Sequence, residues 1–584
     1  MKKLNYKFIA MTAIFLSVAV YSCKKSFLDK LPSGAVGEAL LANKTDVNGL
    51  LIGAYSLLDG VGGAGGNVES SPDNFVWGSI VGGDSNKGSD PSDNAPDMQQ
   101  FSTWKYVPTS TYLPVLWNAR YEGVLRCNEV LRILKLVKNM SPAEITEVAA
   151  ETRFLRGHYY FELKKNFNNV PYLDETISYS NGNWHVPNTI DIWPKIEADF
   201  SYAMANLPAT QPQVARANKY AAEAFLAKVY MFEHQYANAK PLLTDVINNG
   251  VTASGAKYAL NSKFSDNFYG PRNGNEAVFT CQYSVNDGSS GSDANLGDAL
   301  NFPVGSSAPG GCCGWNQPTY SLVNSFKTDA VTGLPDPAHF NDADMPSDEG
   351  ILSTQPFTPY SGPVDPRLDW TVGRRGIPYL DWGVMPGHDW IRNQGFAGPY
   401  IGKKTSLYKS MVSSEEDASW GNLTSVNYTF MRLSDVILMA AECEVEVGSL
   451  DQAQTYVNMI RIRAANPAGF VTKPDGTPAA NYVVKNYPPG FFLAQGQANA
   501  RTYVQFERKI ELAMEGHRFY DLVRWGTADY ELNTVFVPHE SQKYSVLVGA
   551  HFEKGKAEYF PIPQSEIDQS AVNGVPVLVQ NPIP

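Results

Sequence analysis

A chain of 584 residues with 18 % charged and 12 % aromatic residues can bury a large core, and no long stretch of it has the composition of a disordered tail. Its formal net charge is −12. The segment 1–22 holds three lysines and no acid, so without it the charge becomes −15, a balance that excludes nucleic acid and anionic lipid headgroups as electrostatic partners.

The first predicted element is a leader. Lys2, Lys3 and Lys7 precede an apolar run over residues 8–20, broken only by Thr12 and Ser17. Such a run is too short to cross a bilayer and reads as a secretory signal. Small Ser22 before Cys23 fits a bacterial lipobox, with Tyr21 an unusually large neighbour, so Cys23 is expected to be the lipidated first residue of the mature chain. The alternative is ordinary cleavage that leaves a free thiol. Five cysteines then remain, an odd number that argues against a disulfide framework. Cys127 and Cys443 lie in apolar helical patterns and read as core residues. Cys312 and Cys313 are adjacent, between Gly310-Gly311 and Gly314. A bond between neighbours strains against a Cα spacing of about 3.8 Å, while the glycines supply backbone freedom; both states stay open.

Residues 46–59 have a helical pattern. The following Gly60-Val61-Gly62-Gly63-Ala64-Gly65 fits G-x-G-x-x-G but lacks the strand before it and the helix after it that a dinucleotide site requires. Next comes Ser70-Ser71-Pro72-Asp73-Asn74-Phe75-Val76-Trp77-Gly78. This segment joins a flat ring to a carboxylate and an amide, the chemistry that meets the C–H face and the hydroxyls of a pyranose. Asp84-Ser85-Asn86-Lys87-Gly88 half fits a calcium loop, with Lys87 and Gly88 in poor positions. Ser141-Pro142-Ala143-Glu144 is a capping box opening a helix that residues 166–171 stop. Residues 218–246 predict a helix pair turning at His234-Gln235-Tyr236. Residues 430–465 predict a second pair turning at Gly448, with Ala227 and Ala441 at the small-residue positions of tetratricopeptide repeats. These two anchors lie far apart in the chain, so the repeats form no continuous array and are interrupted by insertions.

Residues 262–429, rich in Gly, Pro, Asn, Ser, Asp and Trp, form a loop region of the kind that carries function. Gly314-Trp315-Asn316-Gln317 repeats the ring-plus-amide chemistry; Trp382 and Trp390 are weaker candidates. Trp77 and Trp315 are expected to face solvent and stack on a ligand, with Asp73, Asn74 and Asn316 binding its hydroxyls. The plain alternative is a buried ring, with those polar residues capping helices or closing turns. Catalytic patterns are missing: there is no H-E-x-x-H or G-x-S-x-G, and the eight histidines form no ligand cluster, so neither a catalytic residue nor a metal or cofactor is expected.

The most specific segment is Arg501 to Trp525, RTYVQFERKIELAMEGHRFYDLVRW. Its alternation of opposite charges with large apolar residues predicts a helix packed through ion pairs, in which Arg518, Asp521 and Arg524 hold helices together. The segment resembles the C-terminal helix of the SusD/RagB family, nutrient-binding lipoproteins of Gram-negative bacteria, whose pattern E-R-x-I-E-L-A-x-E-G-H-R-x-Y-D-L-x-R-W stands here almost entire. Ser26-Phe27-Leu28-Asp29 after the lipobox, Asp365-Pro366-Arg367-Leu368 and Phe560-Pro561-Ile562-Pro563-Gln564-Ser565-Glu566 are similar to further family segments. The resemblance implies a mainly α, SusD-like fold: tetratricopeptide-like helical hairpins plus a large loop-rich region with short strands. Residues 1–22 would be the signal and 23–584 one domain, with a helical half at 23–250 and a loop-rich half with closing helices at 251–584. It further implies a lipid-anchored outer-membrane protein that binds an oligosaccharide or related nutrient and delivers it to a SusC-like TonB-dependent transporter. Surface display is expected, although Lys24 and Lys25 stand where many surface-exported lipoproteins carry acids. The rival classes are a tetratricopeptide scaffold without a small ligand and a surface glycoside hydrolase.

Overall fold

The computed structural model describes residues 38–584 apart from Ala64, Asn94, Tyr179 and Ser180; the leader and Cys23 lie outside the described residues. Its framework is helical: α1 (Lys44–Ser56), α2 (Tyr112–Leu134), α3 (Pro142–Phe167), α4 (Trp193–Asn206), α5 (Lys219–Phe232), α6 (Tyr236–Asn249), α7 (Leu433–Val447), α8 (Leu450–Ala464), α9 (Phe491–Glu511) and α10 (Arg518–Arg524). Local chemistry sets their starts. Ser141 and Glu144 form the reciprocal capping box of α3. Asn218 caps α5 by accepting from Ala221 N at 2.8 Å, and Ser449 caps α8. α5 and α6 turn through His234 at φ +57°, and α7 and α8 turn at Gly448, as the sequence predicts.

Helices from α2 to α9 pack in series, each against the next, so α6 lies against α7 although the whole loop-rich region separates them in the chain. Space thus restores the array that the insertion interrupts. Ala227 and Ala441 are fully buried between the helices, and Lys228–Asp435 (3.0 Å) and Lys240–Glu444 (2.9 Å) tie the two hairpins together. One hydrophobic cluster extends from Val47 to Leu578.

The loop-rich region contributes short antiparallel pairs. β1 (Ser85–Gly88) pairs with β3 (Trp315–Pro318), and β2 (Ala277–Cys281) with β5 (Tyr428–Arg432). β4 (Trp420–Thr424) forms a hairpin with Glu416–Asp417. The half-calcium-loop segment is β1, and the carboxylate of Asp84 before it accepts from Met514 N at 3.1 Å. Cys312 and Cys313 are joined to each other, and Cys127, Cys281 and Cys443 are buried free thiols.

The charges of the C-terminal motif are buried and mutually paired. Arg508 bridges Asp435 (2.5 Å) and Asp521 (2.7 Å), and Arg524 bridges Asp521 (2.9 Å) and Glu442 (2.7 Å). Arg367, from the Asp365-Pro366-Arg367-Leu368 segment, reaches Glu507 (2.7 Å) and Glu511 (2.9 Å). Arg518 pairs elsewhere, with Glu531 at 3.0 Å. Asp521 takes Arg508 and Arg524 as its partners.

Candidate functional site

Asn74 ends an irregular loop and opens the wide turn Phe75–Ile80. It occupies the left-handed region at φ +52°, where a short amide is tolerated because it bonds locally; here Nδ2 donates to the Pro72 carbonyl at 2.9 Å. The C-terminal motif pins this loop from behind. A Cβ on Gly516 would stand 2.1 Å from the Asp73 carbonyl oxygen, and one on Gly78 would stand 1.8 Å from that of Gly516. The glycine of E-G-H-R is thus a close-approach residue for the Asp73 loop.

The turn carries Trp77 inward. Its ring is fully buried, edge-on to Phe101 and Phe560 with centroids at 4.9 Å, and Nε1 donates to the Glu69 carbonyl at 2.8 Å. Trp315 on β3 is buried under the Lys87 ammonium, 5.3 Å from the ring centroid. The expectation that both rings face solvent is corrected. Each has an indole surface that the core gains by burying, and the turn and the β1–β3 pairing direct them there. Trp390 is buried against Tyr379, with Nε1 donating to Ser307 Oγ at 3.0 Å. Trp382 is half-buried, its Nε1 held by the Leu407 carbonyl at 2.8 Å.

The polar candidates divide. Asn74 lines a small internal cavity with His158, Glu162 and Lys165. Asp73 and Asn316 come together, far apart in sequence, on the inner of two adjoining chambers, each of about 60 Å³. The chambers share Asn267, Phe268, Val426, Asn427, Thr429 and Arg432 as a common wall. The outer one is an amide surface. Asn261 Nδ2 donates to Asn267 Oδ1, and the Asn273 and Asn427 amides both donate to Gln282 Oε1, each at 2.9 Å. Arg272 and Glu415 pair at its edge. Fixed planar amides of this kind present donors and acceptors suited to hydroxyl groups.

The inner chamber holds ionisable groups. Lys404 pairs with Glu515 at 2.6 Å and Arg432 with the same carboxylate at 2.9 Å. Burial works against the charge on Glu515, but Arg432 and Lys404 outweigh it and hold the group down to about 2. Burial lowers Lys404 to about 8. Asp73 is pushed well above the usual carboxylate range by burial and then by the neighbouring Asp298, and burial raises Asp298 to about 6.

Sequence reasoning missed Trp420. At 39 % exposure it is, with Trp184, one of two exposed tryptophans among the described residues. It stands on the hairpin whose base, Glu415 on one side and Val426 and Asn427 on the other, lines the outer chamber. The pattern that singled out Trp77 and Trp315, a ring with Asn within three residues in a Gly-bearing segment, is also met by Trp420-Gly421-Asn422.

Comparison with known proteins gives a consistent result. The profile of the SusD family matches residues 275–583, and a profile described as "Starch-binding associating with outer membrane" matches residues 69–231. SusD-like protein P2 of Formosa agariphila is 26 % identical over 457 residues, 77 % of each chain. SusD-like protein P25 of the same organism is 22 % identical over 541 residues, 88 % of this chain and 89 % of the relative. A laminarin-binding SusD-like protein superposes with a TM-score of 0.63 at 22 % identity, covering 92 % of this chain and 99 % of that one. Surface glycan-binding protein A of Bacteroides thetaiotaomicron, solved with laminarihexaose, gives 0.64 at 19 % identity over the same shares.

Proposed function

As the chain belongs to the SusD family, whose profile spans more than half of its 584 residues, we propose that it is a cell-surface lipoprotein of the outer membrane that binds an oligosaccharide and passes it to a SusC-like TonB-dependent transporter. The observation that carries this reading is the amide-lined outer chamber with the exposed Trp420 ring on the hairpin beside it. The ring offers a stacking face and the amides offer hydroxyl partners. The names of the laminarin-binding neighbours and the family description of starch binding at the outer membrane support the same ligand class and location. For the transporter, the helical framework offers apolar side chains in the open: Ile52, Leu125, Val447, Ile462 and Leu493 are each about half exposed or more.

The reading includes no catalytic step. Asp73 and Asp298 are the paired carboxyls a hydrolase reading would select, but glycosidases hold such groups about 5–9.5 Å apart with the scissile bond between them. Here both carboxyls are buried, 7 % and 5 % exposed, and do not flank an open cleft in which a scissile bond could lie. A scaffold without a small ligand leaves Trp420 and the amide wall without a role.

Titration of the purified protein against a glycan panel tests the ligand class; saturable binding at micromolar to millimolar affinity is expected for a protein that must release its cargo. Silence across neutral and acidic glycans sinks the reading. The anchor is tested separately: Cys23→Ala should abolish acyl labelling and release the protein from the membrane, and unchanged retention contradicts it.

A further inference from the structure

The inner chamber contains more buried acceptor oxygen than the protein itself satisfies. Asp73, Asp298 and Asn316 line it and are 7 %, 5 % and 5 % exposed. Asp73 Oδ2 and Asn316 Oδ1 have no hydrogen-bond partner, nor do the buried Ser71 Oγ and Asn301 Oδ1 close by. Ser71 and Asp73 are close to the Asp298 segment: a Cβ on Gly297 would stand 1.9 Å from Ser71 Oγ and 2.9 Å from Asp73 Oδ2. Buried polar atoms are ordinarily paired, and an orphaned one carries an uncompensated desolvation penalty.

Protein cations do not answer these oxygens. Lys404 Nζ is turned to Glu515 and to the Ala513 carbonyl (2.8 Å), and Arg432 to Glu515, Glu511 and Glu276. Arg120 donates to the Ser71 carbonyl at 3.4 Å and makes no ion pair with either aspartate. Among the described residues, Asp73 and Asp298 are in no ion pair. Two adjacent buried carboxylates cannot both keep their charge without a counter-charge. Asp298 is meanwhile oriented as a ligand would be: Asn295 Nδ2 donates to Oδ2 at 2.8 Å and Asn301 Nδ2 to Oδ1 at 3.4 Å.

We propose that Asp73, Asp298 and Asn316 hold a divalent cation of the calcium class. The donor set is all oxygen, two carboxylates and an amide carbonyl, which suits a hard cation and matches its charge. A chamber of about 60 Å³ accommodates the ion with waters completing its shell. The ion ties together the Asp73 loop, the 295–301 loop and β3, segments joined otherwise by β1–β3 pairing and loop contacts. It thereby supports the wall of the outer chamber. The inference stands whether or not the ligand is a glycan.

The test uses the purified full chain, dialysed against chelator and returned to calcium chloride or to magnesium chloride. About one equivalent of calcium per chain by elemental mass spectrometry is expected, with a rise of several degrees in Tm at millimolar calcium and a smaller one with magnesium. Asn316→Ala should weaken calcium binding at least ten-fold, and Asp298→Asn should abolish it, while the exposed Asp287→Asn leaves it unchanged. If Asp298→Asn does not fold, Asn316→Ala and the stoichiometry of the parent chain decide. No bound calcium and no shift in the parent chain overturns the proposal in favour of a shared proton or water; calcium retained at full affinity in Asn316→Ala and Asp298→Asn places the ion elsewhere and overturns it equally.

Discussion

At Trp420, 39 % exposed, an alanine removes a solvent-facing ring and little core. The variant should fold with parental stability and lose about ten- to hundred-fold in glycan affinity, the ~1–3 kcal/mol that one stacked aromatic ring contributes elsewhere. Calorimetry against the best glycan of the panel checks it, and unchanged affinity would remove Trp420 from the site. Trp77→Ala is the opposite experiment. Its ring is wedged between Phe101 and Phe560, so the loss should be about 3–5 kcal/mol of folding stability in denaturant titration. A folded, fully stable Trp77→Ala protein contradicts the packing described.

At the scale of elements, the C-terminal motif acts as a clamp. Arg508 bridges Asp435 at the start of α7 and Asp521 in α10, so Arg508→Ala removes one of two cationic partners from each buried carboxylate, leaving Lys228 to Asp435 and Arg524 to Asp521. A cost of about 3–5 kcal/mol is expected, as when one partner of a buried pair is removed, with glycan affinity of the folded fraction intact. Glu515 gives this clamp a pH signature. Its carboxyl is held down to about 2 by Arg432 and Lys404 against the effect of burial, below the unfolded value of about 4.3. Its contribution is therefore complete above about pH 4.5 and lost as pH falls toward 2. Denaturant midpoints between pH 2 and 7 should show the acid-side fall, and Glu515→Gln should flatten it. A parent and variant with the same slope below pH 4.5 would refute the assignment.

For the molecule as a whole, the main cluster from Val47 to Leu578 and the contact of α6 with α7 join the helical half to the closing helices. Residues 23–250 and 251–584 should therefore unfold together, in one calorimetric transition. Two separated transitions would show that the halves are independent domains.

Elements whose cause is local were legible in the chain: the capping box at Ser141, the hairpins turning at His234 and Gly448, the small residues Ala227 and Ala441, and the charged C-terminal segment with its family resemblance. Caps, helical periodicity and turn residues act within a few positions, so sequence spacing carries them. That α6 and α7 are neighbours, and that Asp521 takes Arg508 as its second partner, depends on contacts across the fold. The site was decided almost entirely there. Trp77, Trp315 and Trp420 satisfy the same local pattern, yet two are buried and one is exposed, because burial depends on which segments arrive from elsewhere to cover a ring. Asp73 is remote in the chain from Asp298 and Asn316, and the packing of Gly516 against the Asp73 loop, the pairing of β1 with β3 and the bond from Trp315 N to the Leu300 carbonyl bring all three to one chamber.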